Sequence, residues 1–400
     1  MLPDDLLADV DAALAADDAE RARRYPGPPP GRQPVHTVYV PADRMSPGTV
    51  AEWGAGALAV LDAHGPLAEF ASLEERIRGK LHAEPVEDLR VDAEDGYGSR
   101  PDDEEDRHVR AAARAVSAIL EGPAAPPFVG LRFKSLEPAT RRRGLRTADL
   151  FLGTLLAAGP LPAGFRFTLP KVTSVAQVEA MVTVCAALEE GYGLSSLRFE
   201  IQVETPQAVL GADGRALVAP MITAAAGRCA GLHYGTYDYS AALGVAAAEQ
   251  SLRHPVADHA KAVLQVAAAG TGVPVCDGST NVLPVGEPSD VEAARRLHAG
   301  LVTRSLRRGF YQGWDLHPGQ LPTRYAATFA FFREGLQEAA DRLRRWLDRA
   351  ESGLLDEPAT ARALAGYLVR GLDSGALDPA EVTSAGGPDR TTLDRLLTAS

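Results

Sequence analysis

Eight short runs with high β propensity recur along this chain, and a stretch with helical spacing separates each run from the next. The runs are VHTVYVPA (35–42), LRVDAED (89–95), FVGLRFKS (128–135), RFTLPKV (166–172), RFEIQVETP (198–206), GLHYGTYDYS (231–240), VPVCDGSTN (273–281) and FYQGWDLHP (310–318). Strands that alternate with helices form a parallel sheet, and eight of them predict a closed (β/α)8 TIM barrel. The alternative is a doubly wound open sheet, but no GxGxxG motif follows the first run.

The segments on either side of these runs predict additions to the barrel. Residues 1–34 are typical of a helix followed by the Pro-rich linker YPGPPPGRQP, residues 35–321 of the catalytic barrel, and residues 322–400 of a helical C-terminal extension. Within the extension, residues 322–351 predict one long charged helix and residues 359–372 a second one. One barrel of about 250 residues with additions fits the length better than three domains of about 150 residues.

Charge and apolar patterning exclude several classes of function. The net charge is −12 and the acidic residues are spread along the chain, which argues against nucleic-acid binding. No apolar run reaches the ~18 residues of a membrane span, and the acidic start of the chain does not resemble a secretory signal. The three cysteines have no metal-binding spacing and are expected to be reduced, buried thiols. These features predict a cytoplasmic protein.

Potentially reactive polar and charged side chains collect where the predicted strands end, which is where a barrel of this kind carries its chemistry. They are Asp92, Glu94, Asp95, Arg132, Lys134, Lys171, Gln202, Glu204, Asp238, Asp277, Asp315 and His317. Simple solvation of strand ends would explain any one of them. It explains the whole set poorly, because buried charges in a barrel need a partner or a metal ion.

Glu204 and Asp238 are the best candidates for metal ligands, because each ends an apolar strand and the two strands are neighbours. Two carboxylates on one rim form the oxygen half-site that Mg²⁺ prefers, and such an ion can polarise a carbonyl group. The alternative is a salt-bridge network with Arg132 and Lys171. Arg132 itself could bind a carboxylate or stabilise an oxyanion, or it could be a structural partner of Glu204 or Glu94.

Taken in order, the motifs resemble those of a superfamily that joins citrate lyase β-subunits, malyl-CoA lyases, malate synthases and pyruvate aldolases of the HpcH/HpaI type. The matching segments are VDAED, LRF, LPKV, QVETPQAV, GTYDYS and HPGQ, one for each of several strands over residues 35–325. No single motif is specific, but the ordered set is.

The resemblance implies roles for individual residues. Glu204 and Asp238 match the metal-binding carboxylates, with Mg²⁺ or Mn²⁺ as the cofactor, and Arg132 matches the catalytic arginine. Glu94 and Asp95 match acidic residues near the metal. The backbone amides of Gly235, Thr236 and Tyr237 lie where the family binds the substrate carboxylate, and Lys171 and Gln202 complete the expected substrate-binding set. The resemblance also implies a homo-oligomer.

The branch of the superfamily and the catalytic base are separate questions. The pyruvate aldolases have a histidine at the position of Asp95, so their proton transfer is in doubt here. The segment LLDEPATARALAGYLVRG resembles the part of malate synthase that carries the catalytic aspartate, and that base aligns with Glu357, beside Asp356. An acidic first turn of a helix explains Glu357 equally well.

Two further motifs allow a functional and a structural interpretation. His317 in WDLHPGQ is expected to hold the C-terminal extension rather than to take part in catalysis. The run Arg141, Arg142 and Arg143 could receive a phosphate or a CoA tail, but a solvated loop is the favoured reading.

The sequence therefore predicts a magnesium-dependent aldol or Claisen reaction on a small 2-oxo or hydroxy acid, with a CoA thioester as an open second partner. One rival is a phosphoenolpyruvate-type barrel, which would need a phospho-acceptor histidine and a phosphate-binding loop. The other rival is a non-catalytic barrel that binds a small carboxylate. Retention of Arg132, Glu204 and Asp238 together disfavours this second rival.

Overall fold

The computed structural model describes residues 2–29, 31–348 and 357–398. It confirms the predicted (β/α)8 barrel with an N-terminal helix and a helical C-terminal extension. The strands are β1 (His36–Pro41), β2 (Asp88–Asp92), β3 (Phe128–Arg132), β4 (Phe165–Leu169), β5 (Phe199–Val203), β6 (Cys229–Tyr234), β7 (Val275–Cys276) and β8 (Gly313–Asp315). Each of the eight predicted runs contains a strand or most of one.

The strands pair in parallel and in chain order, which is the connectivity of a barrel. The sheet runs from β7 through β6, β5, β4, β3, β2 and β1 to β8. The barrel closes between β7 and β8, because Cys276 forms a parallel bridge with Gln312. The Asp277 backbone N–H donates to the Gln312 carbonyl at 2.8 Å, and the Trp314 N–H donates to Gly278 at 3.2 Å.

Helices surround the barrel and extend it at both ends. They are α1 (Asp4–Arg24), α2 (Thr49–His64), α3 (Glu74–Ala83), α4 (Asp102–Leu120), α5 (Arg141–Leu156), α6 (Val175–Tyr192), α7 (Pro206–Val209), α8 (Val218–Ala224), α9 (Thr236–Ala242), α10 (Pro255–Ala268), α11 (Pro288–Arg307), α12 (Leu321–Glu334), α13 (Leu336–Leu347), α14 (Pro358–Asp373), α15 (Pro379–Ser384) and α16 (Arg390–Thr398). Short 3-10 helices lie at Ala68–Leu73, Ala247–Glu249 and Pro318–Gln320.

The prediction of one long helix over residues 322–351 is wrong. The segment forms α12 and α13, which meet at Gly335. The Gly335 N–H donates to the Tyr367 hydroxyl at 3.2 Å, and a side chain on residue 335 would overlap that hydroxyl. The Tyr367 hydroxyl also donates to the Phe331 carbonyl, so it lies between the two backbone groups that a continuous helix would join directly.

Helix α6 ends at Tyr192, since Gly193 takes the left-handed conformation (φ 67°) that terminates it. One other local prediction needs correction. The residues from Arg141 to Arg143 form the first turn of α5 rather than a solvated loop. Arg143 is held there by Asp106 of α4, with its Nη2 donating to Oδ1 at 2.7 Å.

Both the N-terminal and the C-terminal additions contact the barrel. Helix α1 buries none of its residues, and the chain after it joins the barrel where Gly27 bridges Thr271. Helix α12 packs against α3 and α11 and also against α14 of the extension. The division of the chain into domains after residues 34 and 321 stays a prediction.

The cysteines and the apolar segments agree with a compact barrel. Cys185, Cys229 and Cys276 are free thiols and all are buried. Over the described ranges, none of the helices combines the length and the hydropathy needed to span a bilayer.

Candidate active site at the carboxyl ends of the strands

Arg132 is the last residue of β3 and lies buried at the mouth of the barrel. Its Nε and Nη2 donate to the two carboxylate oxygens of Asp92, its register partner on β2, at 2.8 and 2.7 Å. The rings of Tyr39 and Trp314 flank the guanidinium, with centroids at 4.6 and 5.9 Å from Cζ. Burial disfavours the charge, but Asp92 and Glu94 hold the pKa of Arg132 well above its usual value. Arg132 therefore stays a cation of fixed orientation.

The remaining nitrogen of that guanidinium faces the acidic residues. Nη1 of Arg132 lies 3.5 Å from Gln202 Oε1 and 3.7 Å from Glu94 Oε2. The Gln202 amide donates in turn to Glu204. Arg132, Gln202 and Glu204 thus form a chain of polar contacts across the mouth from β3 to β5.

Lys171 lies at the centre of the acidic residues. Its Nζ is 2.7 Å from Asp95 Oδ2, 3.0 Å from Glu94 Oε1 and 3.3 Å from Asp238 Oδ2. Its backbone N–H donates to Glu204 Oε1 at 2.8 Å. Lys171 has a φ of 52°, which is uncommon for a residue with a side chain. Burial acts to lower the pKa of Lys171, but Glu204 and Glu94 outweigh it and the pKa is raised.

Two of the acids have pKa values near neutrality. Glu204 is almost fully buried (2% exposed), and this burial raises its pKa to about 8 in spite of Lys171 and Arg132. Burial likewise raises the pKa of Glu94 to about 7, although Arg132 opposes the shift. Asp95 differs, because its hydrogen bond from Lys171 outweighs burial and lowers its pKa. Burial therefore favours the protonated form of Glu204 at neutral pH even beside these two cations.

The loop after β6 lies against Glu204. Gly235 approaches so closely that any side chain there would overlap the Glu204 carboxylate. Thr236 and Tyr237 are anchored to the neighbouring loop, since Thr236 Oγ1 donates to Ser279 O at 3.3 Å and the Tyr237 hydroxyl accepts from the Asn281 N–H at 2.6 Å. Asp238, in the first turn of α9, is half-exposed and faces Lys171.

Lys134 holds the loop that carries Glu94 and Asp95. Its Nζ donates to the carbonyls of Ala93 and Gly98 at 2.8 and 3.1 Å and pairs with Glu105 at 2.8 Å. Asp92 also holds this loop, since its oxygens accept from the Glu94 and Gly96 N–H groups. These contacts fix the strand-two acids against the mouth.

Other residues at strand ends serve the barrel instead. Asp277 binds Lys261 and Ser305, and Asp315 binds His36, His298 and Arg324. His317 caps the 3-10 helix before α12, where its Nδ1 accepts from the Gly319 N–H at 3.0 Å. These side chains are satisfied by structural partners, as expected for His317 but not for the two aspartates.

Glu357 does not join the cluster within the described chain. It is exposed and precedes α14 as the N-cap residue, without a side-chain capping bond. No hydrogen bond or ion pair between described residues connects it to Arg132, Lys171 or Glu204. Asp356 lies outside the described residues.

Sequence reasoning missed Asp92 as the partner of Arg132, and it missed the two aromatic rings. The expected partners were Glu204 or Glu94. The signal for Asp92 was available in principle, because it and Arg132 end adjacent parallel strands. Tyr39 and Trp314 lie in β1 and β8, and only the closed barrel brings them beside β3.

The acids fit a divalent cation as a partial ligand set. Their oxygens are hard donors, and Glu94, Asp95 and Asp238 all reach one point at the mouth. In the part of the chain that the structure describes, no three His, Cys, Asp or Glu side chains are arranged to hold a metal ion by themselves. Mg²⁺ sites commonly use one or two carboxylates and complete the shell with water and substrate, so the donor set is compatible with this ion.

Comparison with known proteins gives a family and a fold. Residues 14–399 match the family model described as a domain of unknown function, DUF6986. A comparison with curated protein sequences gave no match.

Among solved structures, the malate synthase of Haloferax volcanii in its magnesium and glyoxylate complex is 15% identical, with a TM-score of 0.50, and the match covers 92% of this chain and 98% of that one. The CitE protein of Mycobacterium tuberculosis in complex with magnesium, acetoacetate and coenzyme A is 20% identical, with a TM-score of 0.49 and coverage of 86% and 99%. The neighbours are those that the motif resemblance names. At these identities the likeness to malate synthase establishes a shared fold.

Proposed function

The chain belongs to the DUF6986 family, and for it we propose a divalent-metal-dependent reaction that makes or breaks a carbon–carbon bond next to the carbonyl of a small 2-oxo or hydroxy acid. The observation that carries the proposal is the meeting of four acids at one barrel mouth beside a fixed guanidinium. Glu94, Asp95 and Asp238 contact one ammonium group, and Glu204 accepts from the backbone of the same lysine.

In this proposal Glu204 and Asp238 hold Mg²⁺ or Mn²⁺. Burial raises the pKa of Glu204 and Asp238 raises it further, and a bound divalent ion would favour the ionised carboxylate. Such an ion, when bound, supplies the charge that polarises a substrate carbonyl. The malate synthase with the same fold was solved in complex with magnesium and glyoxylate, and glyoxylate is a 2-oxo acid.

Arg132 stabilises the negative charge that develops on the substrate oxygen. Asp92 occupies two of its nitrogens, so the guanidinium is oriented before substrate arrives and the third nitrogen is directed into the mouth. Oriented donors of this kind contribute much of the rate enhancement in acyl and aldol chemistry. The backbone amides of Gly235, Thr236 and Tyr237 are the proposed site for the substrate carboxylate, with Lys171 and Gln202 beside it.

A carboxylate moves the proton. Glu94 is the candidate within the mouth, because a pKa of about 7 lets it both hold and release a proton near neutrality. Asp95 is its hydrogen-bonded neighbour. Glu357 remains the candidate from the C-terminal extension, and a homo-oligomer could bring it from a neighbouring chain. A CoA thioester is the proposed second partner if the reaction follows malate synthase or citrate lyase.

The test is a metal-supplemented activity screen. Glyoxylate and pyruvate are offered with acyl-CoA and aldehyde partners, with Mg²⁺, Mn²⁺ or EDTA, and products are followed by mass spectrometry. We expect turnover that requires the metal and is lost in Glu204→Gln, while Glu121→Gln, an exposed acid after α4, retains it. Full activity of Glu204→Gln would refute the metal assignment.

A further inference from the structure

The ammonium group of Lys171 occupies the point at which the acid oxygens converge. Glu94, Asp95 and Asp238 each place one oxygen between 2.7 and 3.3 Å from Nζ. Glu94 and Asp95 come from the loop after β2 and Asp238 from the first turn of α9, whereas Lys171 follows β4. The three carboxylates therefore surround a cation that the chain itself supplies.

The backbone at Lys171 is held in an uncommon conformation that serves the same acids. With φ at 52°, its N–H points to Glu204 Oε1 at 2.8 Å while its side chain reaches the other three carboxylates. A non-glycine residue in this region is costly and persists only when its surroundings fix it. Lys171 is thus the residue that all four acids contact.

The charges around this lysine do not balance. Four acids face it, and the neighbouring cation, Arg132, is already paired with Asp92. One ammonium cannot balance all four acids in their ionised form, whereas a divalent ion in its place would balance more of that charge. Mg²⁺ requires oxygens at about 2.0–2.1 Å, so the ion and the ammonium cannot occupy the same point together.

We propose that Lys171 is a built-in cation that fills the metal position in the metal-free protein, and that a divalent ion displaces its ammonium group towards the substrate. The inference rests on the proposed function, because it takes the acids to be the metal site. It assigns to Lys171 a second state in which the ammonium is free to bind the carboxylate of a 2-oxo acid.

The direct test is the reactivity of the lysine amines. The chain has only four lysines, Lys80, Lys134, Lys171 and Lys261. The wild-type protein is acylated with an amine-reactive ester in EDTA or in saturating Mg²⁺, and each lysine is quantified by peptide mass spectrometry. We expect acylation of Lys171 to rise several-fold with Mg²⁺, while Lys80, which is paired with Glu84 and Glu87, serves as the internal control and does not change.

The second test is calorimetric titration of Lys171→Met with Mg²⁺ and Mn²⁺, alone and with pyruvate. If the ammonium competes with the ion, its removal should tighten metal binding by about tenfold, within the usual range of coupling between two ligands. Equal or weaker binding by the variant overturns the inference, as does unchanged or slower acylation of Lys171 in protein that has bound the ion.

Glu204→Gln separates this inference from the proposed function. If wild type binds the ion and Glu204→Gln does not, the metal site stands and the two outcomes above decide the role of Lys171. If neither wild type nor Lys171→Met binds an ion, or if Glu204→Gln binds it as well as wild type, the proposed function fails and the inference fails with it.

Discussion

Arg132 and Asp92 form a two-bond ion pair between register partners at the ends of neighbouring strands, with N–O distances of 2.8 and 2.7 Å. This pair occupies two of the guanidinium nitrogens and leaves Nη1 facing Gln202 and Glu94. Only a planar guanidinium can make both sets of contacts, because a single ammonium group cannot bind both Asp92 oxygens and also face the mouth.

The substitution Arg132→Lys should therefore lower kcat by about 10²–10³-fold, the usual effect of losing one oriented donor to a developing oxyanion. Metal binding should persist, since the acids are unchanged. Steady-state kinetics and calorimetric titration measure the two effects, with Arg146→Lys on the exposed face of α5 as the control. Loss of metal binding together with activity would instead assign Arg132 a structural role at the site.

Asp238→Asn should weaken Mg²⁺ binding by at least about tenfold, because a neutral amide replaces one of two charged ligands of a divalent ion. Asp238 is half-exposed, and its ion pair among the described residues is the one to Lys171 at 3.3 Å, so the fold should tolerate the change. Calorimetry measures the affinity, and the unfolding temperature checks the fold. Asp213→Asn, an exposed acid elsewhere, is the control. Unchanged affinity would remove Asp238 from the ligand set.

The fold could be predicted because each strand has a local sequence signal, a short run of residues with high β propensity. The eight β-rich runs are separated by helical stretches, and a closed parallel barrel is the solution that buries all of them. The break between α12 and α13 could not be predicted in this way. It depends on the hydroxyl of Tyr367, more than 30 residues later in the chain, which packs where a side chain on Gly335 would lie.

In the candidate site, too, some features could be predicted from local sequence and others depend on residues far apart in the chain. Strand ends pointed to Glu94, Asp95, Glu204 and Asp238, and the structure brings them to one place. Lys171 was expected beside them, as a salt-bridge partner or a substrate-binding residue. Its positive φ could not be predicted, because a lysine does not prefer that conformation and only tertiary contacts maintain it. The partner of Arg132 was likewise missed, since choosing Asp92 over Glu94 or Glu204 requires the register of β2 and β3.

Gly130 tests the packing of the strands beneath the site. Any side chain at this position in β3 would overlap the backbone carbonyl of Arg166 in β4, so Gly130→Ala should cost about 3 kcal/mol of unfolding free energy. Gly79 in α3 has open space around its missing Cβ, and Gly79→Ala should stabilise the protein by up to about 1 kcal/mol. Urea unfolding measures both variants. Equal stabilities would contradict the close approach of β3 and β4.

Asp106 provides a stability prediction that depends on pH. Hydrogen bonds from Arg146 and Arg143 lower its pKa from 3.8 to about 2. A carboxylate with a depressed folded-state pKa contributes stability above its ordinary pKa and loses it as the pH falls towards 2. Asp106→Asn should therefore cost about 1 kcal/mol at pH 7, a modest value because Arg146 is largely exposed.

The difference between wild type and Asp106→Asn should shrink as the pH falls from 4 to 2. Urea unfolding at several pH values measures it. Asp102→Asn is the matched control, since Asp102 is exposed and lies 3.6 Å from Arg143. A pH-independent difference would mean that Asp106 stabilises the contact between α4 and α5 by packing rather than by charge.

Glu357 has two possible roles, and they predict different outcomes. As an acid at the N-terminus of α14 it would add at most about 1 kcal/mol of stability through the helix dipole. As the catalytic base of the proposed reaction it would be required for turnover. In the catalytic role, Glu357→Gln lowers kcat by about 10²–10⁴-fold with unchanged metal affinity. Normal kcat in a slightly destabilised variant would reduce Glu357 to a helix-capping residue.

If Glu357 acts on the site of a neighbouring chain, two inactive variants should complement each other. In a mixed oligomer of Glu357→Gln and Glu204→Gln, some sites combine an intact Glu204 from one chain with an intact Glu357 from another. Refolding or subunit exchange of the mixture should restore part of the activity that each variant lacks alone. If both residues must come from one chain, no mixing ratio creates a complete site, and the activity stays at the level of the separate variants.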